Sequence, residues 1–373
     1  MTLMFITADI GGVHQLSHKL PILPIYDILK QQGYDVIWGS WIPWGIPFKE
    51  EDKHKEIQYY VTGDQGIPGD NAGPVTKTFF HTHGLHKLEM GYVSAVTRGY
   101  LATGELWFSI TDEKADFLEQ KRGVGELSKI PVTGWAKLDS LFKNTKEETV
   151  AEYGLNLPYD KTVLYAPAGN WDYATSFNIS IEHILNLFSR LPYNLIIKNG
   201  LYSESFEKWG WYKNVAVPPN INKIIGAPLG SANIDITPLY NVADAMITDG
   251  SSVAWEFIGT DKPVIQLNNM IDPSSSLMTG PCGAYCKVEN QKGYRYKNEY
   301  GKSIIFNDHP ECRACGGCIK TGLENLEQEI IDAIEYPNRY EKERRKWAVL
   351  YNKYVDGKCA QRCVDAIKRL GEI

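Results

Sequence analysis

The feature that most constrains this fold is a repeated alternation of short apolar runs with amphipathic stretches, punctuated by glycine. Residues 1–40 set the pattern. MTLMFITADI is an apolar run, Gly11 and Gly12 make a turn, and Ile22, Ile25, Ile28 and Leu29 recur at helical spacing before Gly33 and a second run, YDVIWG. Strand, helix, strand at this spacing is a βαβ unit, whose crossover makes its two strands parallel. The alternation continues through KTFFHTHG, GELWFSITD and KIPVTGWAKLDSLF. After the polar stretch NTKEETVAEYGLNLPYDK, a second set opens with TVLYAPAGNWD, YNLIIKNG, DAMITDGSSVAWEF and KPVIQL. The chain therefore reads as α/β, with two successive Rossmann-type halves joined near residues 145–160. Its 373 residues are more than one ordinary core needs.

In parallel sheets of this kind a ligand sits at the carboxyl ends of the strands, and with two domains it is expected in the cleft between them. The residues at those ends are Gly11, Gly12, His14, His81, His83, Asp112, Gly134, Pro167, Lys198, Asp249, Ser251 and Ser252. Charge says little about that ligand: 39 basic and 45 acidic side chains give a net −6, which offers no whole-molecule attraction for a polyanion and leaves only a local basic groove open. The first ten residues lack the basic start and small-residue cleavage site of a secretory signal, and no apolar run approaches membrane-spanning length. The expectation is a cytoplasmic protein with no transmembrane segment. All seven cysteines lie between 282 and 363, which excludes a disulfide framework for the whole fold.

Three local patterns carry chemistry. In ITDGSSVAWEF a strand ends at Asp249, Gly250 allows a tight turn, and Ser251 and Ser252 open a helix that includes Glu256. Hydroxyls and unpaired N–H groups at a helix start accept a phosphate or diphosphate, and the same residues serve equally as an ordinary N-cap. In HTHGLHKL, three histidines fall within six positions; His81 and His83 share one strand face. Metal binding, packing and proton transfer are all open to them, but no carboxylate or cysteine stands nearby in sequence to complete a zinc shell, and imidazole's accessible pKa suits proton transfer. His14, after the first glycine turn, is a second candidate at a strand end. In HPECRACGGC, His309, Cys312, Cys315 and Cys318 form a CxxCxxC run preceded by histidine, and PCGAYC adds Cys282 and Cys286. Thiolates and imidazole at such spacings close a tetrahedral zinc site; an iron–sulfur cluster is the alternative, with the fourth cysteine of a ferredoxin run missing. Cys359 and Cys363, four apart on the last helix, can complete such a site or pack as small apolar side chains. Trp38, Trp41 and Trp44 offer either a stacking surface for an acceptor or a packed loop.

Taken in order, HTHGLHKL, VTGWAKLDSLF, VLYAPAGNWDY, DITPLYNVAD with ITDGSSVAWEF, and the closing YVDGKCAQRCVDAIKRL resemble the CDP-glycerol glycerophosphotransferase family, which builds teichoic acid polymers on a GT-B scaffold. The last segment carries Asp356, Gly357, Lys358 and Arg362 in matching places. The resemblance implies two Rossmann-like domains facing across a cleft, with the C-terminal helix packing back toward the first. The corresponding ranges are 1–155 on the acceptor side, 156–345 on the nucleotide-donor side with a Cys-rich insertion at 273–320, and 346–373 for the helix. It further implies His83 as the catalytic base, and donor contacts are expected from Gly134, Pro167, Lys198, Asp249, Ser251, Ser252 and Glu256; His14, by its place after the glycine turn, can also reach the cleft. The expected reaction moves glycerol phosphate or another polyol phosphate from a CDP donor to a hydroxyl acceptor, without a catalytic metal; residence is cytoplasmic or peripheral at the inner membrane face. Two departures stand out: Asn199 follows Lys198 where the family commonly carries a histidine, and Leu85 and His86 follow Gly84 where Thr-Pro is usual. They keep sugar transfer from a UDP or other nucleotide sugar as the runner-up, onto a glycan, a lipid-linked saccharide or nucleic acid. A nucleotide-sugar 2-epimerase and a metal-stabilised binding module are the remaining alternatives.

Overall fold

The computed structural model describes residues 2–10, 13–14, 19–41, 57–62, 77–80, 106–108, 112, 115, 131–167, 176–199, 208–225, 234–249, 251, 253–267, 295–297, 303–305 and 317–369. The chain divides into two compact units, Met1–Asn144 with Val349–Ile373, and Thr145–Ala348.

The first unit opens with β1 (Thr2–Ile10), β2 (Val13–His14), helix α1 (Leu23–Gln31), β3 (Asp35–Trp41), β4 (Ile57–Thr62), β5 (Lys77–Phe80) and β6 (Leu106–Trp107). Pro24 presets the helical φ at the start of α1, and Ile25 and Leu29 bury one face a turn apart. The helix stops at Gly33, whose φ of 84° lets the Tyr34 N–H reach back to the Leu29 carbonyl at 3.1 Å. Five strands run parallel in the order β3-β1-β4-β5-β6, while β2 folds back antiparallel on the end of β1, pairing His14 with Asp9.

The second unit runs α2 (Lys146–Glu152), β7 (Thr162–Tyr165), α3 (Phe177–Phe188), β8 (Asn194–Lys198), α4 (Trp209–Asn214), β9 (Ile221–Ile224), α5 (Leu239–Val242), β10 (Ala245–Thr248), α6 (Val253–Phe257) and β11 (Val264–Leu267). It continues with the antiparallel pair β12 (Arg295–Lys297) and β13 (Ser303–Ile305), then β14 (Ile319–Thr321), α7 (Leu326–Glu335) and α8 (Glu341–Tyr351). Its main sheet is parallel throughout, in the order β9-β8-β7-β10-β11-β14. β7, β10 and β11 are buried at every position, as expected of strands covered on both faces. Their side chains join Phe177, Ile181, Ile184 and Phe188 of α3 and Leu326 and Ile330 of α7 in one core.

The sequence placed the joint between halves near residues 145–160, and the resemblance put the boundary at 155; the division falls at 144/145. Thr145 caps α2 in a reciprocal box with Glu148, and the segment after that helix is tied into the second unit. Tyr153 Oη donates to the Asp235 carbonyl at 2.6 Å, and the Asn156 N–H donates to Asn222 Oδ1 at 2.7 Å. The other division, at 348/349, lies within α8.

The final helix, α9 (Cys359–Arg369), belongs to the first unit, as the C-terminal return expected from the sequence requires. Cys363, Val364 and Ile367 share a core with Leu3, Phe5, Ile25 and Leu29. Its start is held by Asp139, from the 3-10 helix Ala136–Phe142, which accepts the Cys359 N–H at 3.0 Å and the Ala360 N–H at 2.7 Å. Among the described residues no helix is long and apolar enough to cross a membrane.

Candidate functional site

Numbering the second unit's parallel strands along the chain gives the order 3-2-1-4-5-6. The chain reverses its direction of travel across the sheet between β7 and β10, and a crevice at the carboxyl ends of those two strands is the site such a sheet provides for a ligand. Two bonds hold its walls together. The Ala166 N–H donates to the Ile247 carbonyl at 2.9 Å, and Thr248 Oγ1 donates to the Ala166 carbonyl at 2.7 Å.

Pro167, Asp249 and Ser251, which the sequence assigned to a donor, all lie at this switch point. Pro167 is buried just past β7. Ser251 is partly exposed just past β10, and its carbonyl accepts the Ala254 N–H at 3.2 Å to open α6. α6 spans only five residues before a 3-10 turn at Ile258–Thr260, too short to build a strong helix dipole. Lys198 ends β8, the next strand over, and is half-buried; Asn199 beside it is fully buried.

Asp249 is fully buried, and the structure gives its carboxylate work inside the protein. Oδ2 accepts both the backbone N–H of Ser176, at 2.8 Å, and the Ser176 hydroxyl, at 3.0 Å. Ser176 is the N-cap of α3, so the carboxylate sits at the positive end of that helix. The Ser176 hydroxyl in turn lies 2.8 Å from the Tyr165 hydroxyl, which is also 2.8 Å from Ser180 Oγ. Burial, and then the nearby Asp249 charge, push the Tyr165 phenol far above its usual value, so it stays protonated as a donor. On the other side, Gln266 Nε2 donates to the Asp249 carbonyl at 2.8 Å. Sequence reading missed Tyr165, Ser176, Ser180 and Gln266 because tyrosine in an apolar run reads as core and the serines read as helix surface.

Two further expected donor residues have local roles. Glu256 is 2% exposed and accepts the Tyr240 hydroxyl at 2.7 Å. Gly134 lies in the first unit with φ 78°; a Cβ there would meet Cys359 Sγ at 2.7 Å and the Tyr354 carbonyl at 3.2 Å, so the close approach of the C-terminal segment requires glycine. In the same segment Arg362 pairs with Asp356, Nη1 to Oδ1 at 2.8 Å, and lies over the Tyr354 ring at 4.0 Å. Gly357, at φ 72°, lies against Phe142.

Ser252, His81, His83, His86, His309, Cys282, Cys286, Cys312 and Cys315 lie outside the described residues, and His14 is described in its backbone only. Cys318 is partly exposed and has a free thiol, whereas Cys359 and Cys363 are free and buried in the first unit's core. Among the described residues no group of three or more His, Cys, Asp and Glu side chains is placed to hold a metal ion.

Comparison with known proteins places these features. The family model CDP-Glycerol:Poly(glycerophosphate) glycerophosphotransferase matches residues 228–272, a stretch that contains α5, β10, the Ser251 turn, α6 and β11. No curated protein sequence matches the chain. Among solved structures, a histidine-to-asparagine variant of the wall teichoic acid polymerase TagF superposes with a TM-score of 0.66 at 16% identity, covering 100% of this chain and 90% of that one. TagF soaked with CDPG gives 0.62 at 17% identity with the same coverage. A putative UDP-N-acetylglucosamine 2-epimerase from Listeria monocytogenes gives 0.59 at 15% identity, covering 100% and 96%. At such identities the likeness establishes the GT-B-like fold; the family signal is the matched segment.

Proposed function

Because the chain carries the CDP-glycerol glycerophosphotransferase segment on a GT-B-like scaffold, we propose that it is a transferase that moves glycerol phosphate, or another polyol phosphate, from a CDP donor to a hydroxyl acceptor. The observation that carries this reading is the location of the matched segment: residues 228–272 supply the β10 side of the switch point, including Ser251. In the reaction an acceptor oxygen bonds to the phosphorus nearest the polyol, the bond from that phosphorus to the bridging oxygen breaks, and CMP leaves. His83 takes the hydroxyl proton, while Ser251, Ser252 and their turn N–H groups hold the diphosphate as charge moves onto the leaving group. Lys198 adds a point charge. Calorimetry with CDP-glycerol against UDP-sugars tests the donor, and CMP release tests the chemistry. We expect CDP-glycerol to bind and UDP-sugars not to, and His83→Ala to cut turnover by about 10² or more with donor affinity nearly unchanged. Binding of UDP-sugars alone would overturn the donor assignment.

That outcome would favour the second reading, sugar transfer from a nucleotide sugar, which Asn199 supports by standing where a second imidazole is expected. The acceptor class within either reading is a polymer, a glycan or a lipid-linked saccharide in the cytoplasm or at the inner membrane face. The cysteine-rich insertion we assign to a structural zinc, with ligands drawn from His309, Cys312, Cys315, Cys318, Cys282 and Cys286; thiolate spacing supports it, and no step of the transfer runs through the metal.

A further inference from the structure

At the switch point the protein spends one of its own carboxylates on a helix start. Helix N-termini at strand ends attract phosphate, yet the start of α3 is occupied by Asp249 Oδ2, which takes both the N–H and the hydroxyl of its N-cap, Ser176. The hydrogens can be assigned by counting. A carboxylate has none to give, so the single hydroxyl hydrogen of Ser176 points to Asp249. Ser176 Oγ then accepts from the Tyr165 hydroxyl at 2.8 Å, which uses the phenol's one hydrogen. Ser180 is left to donate, to Tyr165 at 2.8 Å or to the Ser176 carbonyl at 2.7 Å. The carboxylate thus orients the hydroxyls of Ser176 and Tyr165, and chains of this kind strengthen one another when water is excluded.

The chain joins three parts of the crevice. Tyr165 is the last residue of β7, Ser176 begins α3, and Asp249 lies two residues before Ser251. We propose that Tyr165, Ser176 and Asp249 are positioning residues that set donor affinity by fixing Ser251 against the end of β7. The inference rests on the donor reading given above.

The test is a double-mutant cycle on the full chain with Tyr165→Phe and Ser176→Ala, reading donor Kd by calorimetry, kcat at saturating donor, and Tm. Each single substitution should weaken CDP-glycerol binding about 3- to 10-fold with kcat held within about twofold. The double variant should be no weaker than about twice the worse single one, because both act through one chain. A purely structural role would lower Tm and leave donor Kd within twofold of wild type in the folded variants, which would overturn the inference. Multiplying, independent effects on Kd would overturn it too. If Tyr165→Phe does not fold, Ser176→Ala decides by the same Kd and kcat criteria. A wild-type chain that binds no nucleotide donor would instead bring down the donor reading and this inference with it.

Discussion

Lys262 shows how far one side chain's behaviour departs from its appearance in the sequence. In KPVIQL it reads as a solvated lysine before a strand, but it is half-buried and its Nζ donates to the carbonyls of Tyr240 at 2.7 Å, Asn241 at 3.3 Å and Ala243 at 2.8 Å. It thereby satisfies the carbonyls that α5 leaves open at its end. Burial lowers its pKa from 10.5 to about 8, with Lys146 and Lys161 adding repulsion and Asp244 opposing the shift. Between those two values the unfolded lysine holds a proton that the folded one has released, so this residue's contribution to stability rises with pH across that window. It is complete above 10.5 and lost as pH falls through about 8. The stability difference between wild type and Lys262→Met, measured by denaturant unfolding at intervals from pH 7 to 10.5, should therefore shift in favour of wild type by up to about 1.4 kcal/mol per pH unit inside the window. A flat difference would mean that the three carbonyls hold the charged form against burial.

At the scale of elements, the cysteines separate into two groups that their spacing alone left joined. Cys359 and Cys363 are both buried in the first unit's core on α9, where burial pushes their thiols well up, and there they pack as small apolar side chains. Cys318 differs. It precedes β14, whose register against β11 is fixed by the Ile265–Ile319 pairing, and follows Gly317, whose φ of 82° accommodates Arg344 Cα, 2.9 Å from where a Cβ would stand. One end of the CxxCxxC run is thus anchored to the sheet, which lowers the ordering cost of any metal site built on it. Metal analysis of tag-free protein should find about one zinc per chain, or iron with visible absorption. Cys315→Ser should lose the metal and lower Tm more than it lowers turnover per folded molecule. Metal-free wild-type protein, or a Cys315→Ser variant of unchanged Tm, would leave these cysteines without a ligand role.

For the molecule as a whole, the sequence made the βαβ alternation and the glycine turns legible because each is a local signal. Strand order was not legible: nothing in DAMITDG says that β10 pairs with β7 rather than with β9, its predecessor in the chain. That choice rests on long-range contacts such as Asp244 Oδ2 accepting the Thr162 N–H at 2.9 Å. The switch-point serine was visible as a helix start, whereas the bond made by the carboxylate two residues before it was not, because its partner, Ser176, lies far away in sequence. The same logic separates the two units. The first is discontinuous and closes only with α9, whose Val364 and Ile367 are fully buried, each side chain worth about 1.5–3 kcal/mol of burial against a domain stability of about 5–15 kcal/mol. The second is continuous from Thr145 to Ala348 with its own core and with the β7–β10 switch point inside it. Deleting residues 357–373 should therefore unfold the first unit, while a fragment of residues 145–348 should unfold cooperatively and bind CDP-glycerol without transferring from it, since His83 is absent. Circular dichroism and calorimetry on the fragment decide the matter. A folded fragment with no donor affinity, beside a full chain that binds, would mean that the donor site needs residues from the first unit and that the switch point alone does not make it.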